Sequence, residues 1–140
     1  MTGYFIEDLA VGMEAGFDKT VSAQDITAFA EVTGDRNPVH LSEHYAAKTF
    51  FKTRIAHGML SAGFISAVLG TKLPGPGAVY MSQTLRFLAP VRIGDTVSTF
   101  AKLTALDLTK KRAQFHCRCE VAGKTVVEGE AMVFVPSRSA

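Results

Sequence analysis

Two periodicities divide the chain, and the change between them falls at the breaker "PGPG", residues 74–77. Ahead of it, after a first predicted strand in "EAGFDKTVS", apolar residues recur at helical spacing. In "SAQDITAFAEVTG", Ile26, Phe29 and Ala30 make one stripe. Ser22 can cap that helix, with Asp25 at the capping-box position, and Gly34 is a natural stop. "GDRNPVH", residues 34–40, then reads as a loop, because Pro38 opposes early resumption of a helix, and a short helix follows Ser42. Residues 57–73, "HGMLSAGFISAVLGTKL", are apolar nearly all round, which predicts a long helix buried on most of its surface. Its small residues, among them Gly58, Ser61, Gly63 and Ser66, let a backbone or a ligand approach closely.

Beyond the breaker the period is two. Arg112, Gln114, His116, Arg118 and Glu120 alternate with Ala113, Phe115, Cys117, Cys119 and Val121, the pattern of a half-buried strand. "VYMSQTLRF", "TVSTFAKLTAL" and "KTVVEGEAMVFV" predict further strands, with turn signals at "RIGD" and "VAGK". A helical half followed by a strand meander predicts one α+β domain over residues 1–140, its antiparallel sheet curling around one buried helix.

Composition narrows the class. A chain of 140 residues suits a single compact domain, which buries about 68% of the surface of its unfolded form. Hydrophobic residues make up 47% and charged residues 20%, which excludes disorder. Net charge is +2 with the cations scattered, so no nucleic-acid face is expected, while an anionic ligand remains compatible. Cys117 and Cys119 share one strand face and read as small core residues rather than a disulfide. Neither a signal peptide nor a membrane span is indicated, so the expected compartment is reducing and cytoplasmic.

Candidate chemistry centres on "GDRNPVH", where Asp35 and His40 stand five positions apart with Asn37 between them. A turn can hold these residue types for purely local reasons. Against that reading, both lie in a short, stiffened segment beside a buried helix, Asn37 can orient either side chain, and a carboxylate with an imidazole makes an acid/base pair able to activate water near neutral pH. Gly58 opens the central helix, where free N–H groups can polarise a carbonyl. His57 beside it reads as loop support. Ser61 and Ser66 lack the spacing of a nucleophile elbow, His40, His44, His57 and His116 lack metal-ligand spacing, and no phosphate-binding glycine loop occurs, so the chemistry is expected to need no metal or cofactor.

These pieces come together in one resemblance. "FAEVTGDRNPVH", "YAAKTFF", "IAHGML" and "FLAPVRIGD" resemble the (R)-specific enoyl-CoA hydratases of the MaoC-like, hydratase 2 group, over most of the chain. The resemblance implies a hot-dog fold, a homodimer with active sites close to the subunit interface, and reversible syn addition of water to a trans-2-enoyl thioester of CoA, with an acyl-carrier protein thioester as the other possible carrier. It further implies that Asp35 and His40 hold the water and handle its proton, and that Asn37 supports them. Gly58 would bind the thioester oxygen through its N–H, with Ser66 beside the site. A hot-dog thioesterase and a non-catalytic acyl-CoA binder are the rival readings. The first commonly uses an acidic residue on the central helix, which "GMLSAGFISAVLGTKL" lacks, and the second has no use for Asp35 and His40.

Overall fold

The alternation read from residue 112 onward becomes the centre of a sheet. In the computed structural model, which describes residues 2–139, Ala113, Phe115, Cys117 and Cys119 are each 0% exposed, all on one face of β5 (Arg112–Val121). β4 (Thr96–Asp107) and β6 (Lys124–Phe134) flank β5, and β1 (Glu14–Thr20) and β2 (Val79–Gln83) lie outside them. The order is β1-β4-β5-β6-β2, a short β3 (Arg86–Phe87) also pairs with β6, and every pairing is antiparallel. A 3₁₀ turn at Ile6–Asp8 precedes β1.

Four helices separate β1 from β2: α1 (Ala23–Thr33), α2 (Pro38–Leu41), α3 (Glu43–Ala47) and α4 (Gly58–Thr71). The α1 cap is as expected, with Ser22 Oγ accepting the Asp25 N–H at 3.1 Å and the Asp25 carboxylate accepting the Ser22 N–H at 2.9 Å. α4 lays Phe64, Ile65, Val68 and Leu69 against Leu103, Phe115, Cys117 and Val133 of the sheet, and these residues make the centre of the core. That helix-on-sheet arrangement is the α+β hot-dog architecture.

Three expectations need correction. Residues 38–40 are not loop: the helix resumes at Pro38 itself, as α2, with Asn37 Oδ1 accepting the Val39 N–H at 3.1 Å. Proline is well suited to a first helical position, where its missing N–H would have had no intrahelical partner. "VYMSQTLRF" is two strands, not one. The chain steps aside at Thr84, whose carbonyl sits where a Cβ on Gly129 would be only 1.8 Å away. And α4 is buried along one side rather than on most of its surface: Met59, Gly63, Ser66 and Gly70 form an exposed stripe, because the sheet reaches only one side of the helix.

The cysteines behave as core residues. Both are free, and burial pushes the Cys117 thiol up to about 12, leaving it protonated and unreactive.

Candidate active site

The site begins with a staircase of short polar side chains. α1 ends on Gly34 at φ 81, a left-handed turn that glycine adopts freely. Thr33 Oγ1 then accepts the Asp35 N–H at 3.1 Å, Asp35 Oδ1 accepts the Asn37 N–H at 3.3 Å, and Asn37 Oδ1 accepts the Val39 N–H. Each residue holds the amide two positions on, so the chain turns sharply into α2 while the Asp35 carboxylate stays exposed.

α2 carries His40 inward, to 9% exposure. Its Nδ1 lies 2.8 Å from the Ile55 carbonyl, which can only accept, so Nδ1 carries the proton and Nε2 is the free basic nitrogen. Burial holds the His40 pKa below the ordinary histidine value. The Ile55 carbonyl opposes that shift, neighbouring His57 adds to it, and Asp35 opposes it.

His57 caps α4 and is 3% exposed. Its Nε2–H donates to the Asp35 backbone carbonyl at 2.9 Å, its ring stacks on His40 with centroids 3.8 Å apart and 26° between planes, and Phe29 packs on it at 4.7 Å. The polar tips of Asp35, His40 and His57 all fall within 4.8 Å of one another. A metal ion held by both imidazoles must lie in both ring planes. Stacked as they are, those planes do not converge within metal–ligand distance. The space between Asp35 and His40 suits a water.

Gly58 is the first residue of α4, and His57 provides no side-chain cap, so the helix start presents N–H groups that lack intrahelical partners. A Cβ on Gly58 would sit 2.5 Å from the Phe87 ring, so only glycine leaves this amide approachable with Phe87 in place.

Two cavities meet at Met59. One, of about 520 Å³, is lined by His57, Gly58, Phe50, Phe51, Phe87 and Pro90 among others. The other, of about 660 Å³, runs along the open stripe of α4 past Asp35, Phe29, Ser66, Tyr80 and Gln83. Tyr80 donates its O–H to Gln83 Oε1, and burial pushes its phenol up to about 12, so it remains a neutral donor.

The fold thus gathers Asp35 and His40 and sets Gly58 beside them through His57. Ser66 lies about two turns along α4 in the cavity that Asp35 also lines. Asn37 stays outside both cavities and braces the turn. His57 belongs to the cluster rather than merely to the loop. Its signal in the sequence was its position as the residue capping the most apolar helix. Tyr80, Gln83 and Phe87 carried no such signal.

Known proteins share this sequence and fold. Residues 8–129 match the family model described as the MaoC like domain. An (R)-specific enoyl-CoA hydratase of Rhodospirillum rubrum is 58% identical over 135 residues, which is 96% of this chain and 94% of that protein. A 3-hydroxybutyryl-CoA dehydratase of Methylorubrum extorquens is 56% identical over 134 residues, covering 96% of this chain and 85% of the relative. Among solved structures, the unliganded R-hydratase PhaJ1 from Pseudomonas aeruginosa superposes with a TM-score of 0.91 at 45% identity, over 97% of this chain and 88% of that one. With its G-D-x-N-P-x-H segment built into a polar cluster at the start of the central helix, the chain belongs to the MaoC-like domain family.

Proposed function

We propose that the protein hydrates trans-2-enoyl-CoA reversibly to (R)-3-hydroxyacyl-CoA, with Asp35 and His40 as the catalytic pair and the Gly58 N–H as the oxyanion donor. The observation that carries this reading is the placement of an Asp35 carboxylate oxygen and a His40 ring nitrogen within 4.8 Å of each other, with Nε2 the ring's free acceptor, beside an uncapped helix start.

Both groups are acceptors, so together they accept hydrogen bonds from the two O–H groups of one water and leave an oxygen lone pair free for C3; one proton is then taken and the other stays as the product hydroxyl. As the C3–O bond forms, the C2=C3 π electrons move toward the thioester and charge collects on its oxygen. The Gly58 N–H meets that charge, a contribution of about 10²–10³ in rate for one donor. The proton taken from water returns to C2 on the same face, completing a syn addition. Acid/base work of this kind adds roughly 10²–10⁴. Dehydration runs through the same transition state in reverse.

The thioester at Gly58 and C3 at Asp35 orient the substrate. The acyl chain beyond C3 extends into the cavity lined by Asp35 and Ser66, and the pantetheine arm leaves through the cavity lined by Gly58, Phe87 and Phe51. Asn37 supports the pair from outside by fixing the turn. The reaction needs no metal or cofactor. A homodimer completes the site: β2 is an edge strand whose Val79, Tyr80 and Met81 are exposed, and Tyr80 and Met81 line the acyl cavity. A second copy paired along β2 would cover them.

The test is loss of the enone absorbance of crotonyl-CoA. Asp35→Asn and His40→Gln are each expected to stay folded and to lose at least ~10²-fold in kcat, with the double variant far from additive. A folded single variant retaining near wild-type hydration of its best enoyl-CoA would refute these roles.

A further inference from the structure

His57 sits where three parts of the site meet. Its main chain caps α4 and leads directly into Gly58, its Nε2–H holds the Asp35 carbonyl at 2.9 Å, and its ring lies on His40 at 3.8 Å. The arrangement carries a penalty. His57 Nδ1 is buried with no hydrogen-bond partner among the described residues, and an unsatisfied buried acceptor is destabilising. A phenylalanine or leucine would fill the same space without that penalty, so packing alone does not account for an imidazole here. The nitrogen that is used does account for it, because only a side chain with a donor can hold the carbonyl of Asp35.

We propose that His57 is a positioning residue for the hydration reaction: its imidazole clamps the Asp35 turn and lies flat on His40, locking the water-holding pair in register with the Gly58 N–H that follows it in the chain. In the sequence the pair and the donor lie about twenty residues apart, and three hydrogen bonds tie α2 to the segment before α4: Ile55 N–H to the Val39 carbonyl at 3.3 Å, His40 Nδ1–H to the Ile55 carbonyl and Arg54 Nε–H to the His40 carbonyl. Those bonds hold the His40 end; the Asp35 end is held to the start of α4 by His57, and rigidly, since Phe29 and His40 both pack against its ring.

The clamp also acts on the electrostatics of His40. The charged and titratable groups around His40 are Asp35 from the turn, His57 from the α4 cap, Arg54, whose Nε–H donates to the His40 carbonyl at 2.7 Å, and Glu43 of α3, which accepts from Thr53 and from the Arg54 amide. Of these, His57 disfavours the protonated form of His40 through its charge, so replacing its imidazole with an uncharged ring, which leaves His40 buried, should let His40 take up a proton at higher pH.

The inference rests on the hydratase reading, and the experiment separates the two. His57→Phe keeps a stacking ring without the donor, and His57→Gln keeps a donor able to reach the Asp35 carbonyl. In a folded His57→Phe variant, kcat for crotonyl-CoA is expected to fall ~10- to 10²-fold with KM changed much less, as displaced reacting groups require. The acid limb of kcat/KM should move to higher pH, and the His40 ring, followed by NMR, should titrate higher too. His57→Gln should recover part of the lost kcat. If either kcat or the His40 titration is unmoved in the folded Phe variant, the proposal is overturned. Should that variant not fold, the Gln variant decides, a wild-type kcat together with an unmoved His40 titration overturning it. A wild-type protein that hydrates no enoyl-CoA would sink the hydratase reading, whereas the NMR titration reads the clamp independently of turnover.

Discussion

One nitrogen governs how the site responds to pH. The Ile55 carbonyl fixes the proton of His40 on Nδ1, so in the proposed mechanism Nε2 is the atom that accepts from water, and protonation there abolishes that use. Burial favours the neutral ring and holds the His40 pKa below the ordinary value. The acid limb of kcat/KM is therefore expected below the usual histidine value of about 6.5. Stability follows the same sign. Where the unfolded chain binds the His40 proton and the folded chain does not, lowering the pH favours unfolding, so this contribution is present above about 6.5 and is lost as pH falls through the folded value. A pH profile of kcat/KM with urea midpoints over the same range checks both, and an acid limb above 6.5 in the wild-type protein would contradict the assigned role of His40.

At the scale of elements, the contact between the start of α4 and β3 controls access to the Gly58 N–H, the proposed oxyanion donor. Gly58 leaves no room for a Cβ, which would approach the Phe87 ring to 2.5 Å, yet Phe87 is 54% exposed and free to swing away. Gly58→Ala should therefore fold, pushing the ring into the cavity assigned to pantetheine. A KM for crotonyl-CoA raised about tenfold is expected, the equivalent of ~1.4 kcal/mol of binding. Phe87→Ala removes the obstacle, so the double variant should bind substrate better than Gly58→Ala alone. A double variant no better than the single one would show that the alanine acts on the N–H itself rather than through Phe87.

For the whole molecule, the two edges of the sheet are unlike. β1 carries Glu14, Asp18 and Lys19, charges that discourage pairing, whereas β2, "VYMSQ", has none and exposes Val79 at 55% and Met81 at 44%. The open stripe of α4 beside it, Gly63, Ser66 and Gly70, has space for close approach. The homodimer proposed on this face predicts a mass of twice the 15.0 kDa chain by light scattering at micromolar concentration. Val79→Lys with Met81→Lys should give a monomer with reduced activity, since Met81 also lines the acyl cavity. A wild-type monomer would remove the interface from the account of the site.

Much of this architecture was legible in the order of residues because burial writes itself as periodicity. The alternation from residue 112, the Ser22–Asp25 cap and the glycine stop at Gly34 each concern neighbours within a turn or a pleat, where local geometry decides the outcome. The G-D-x-N-P-x-H run marked the turn that carries Asp35 and His40, the proposed acid/base pair, for the same reason, since its bonds run between a side chain and the amide two positions on. What periodicity does not encode is which partner covers a face. That α4 is open along Met59, Gly63 and Ser66 depended on where the sheet ends, and that β1 lies beside β4 rather than β2 depended on the path of the intervening helices. The break between β2 and β3 came from a carbonyl crossing Gly129. His57 shows the division most clearly. Its sequence context, a histidine before a glycine, is shared by any helix cap, and only the approach of α1, α2 and α4 put its ring on His40 and its Nε2–H on Asp35, contacts between elements that no local pattern specifies.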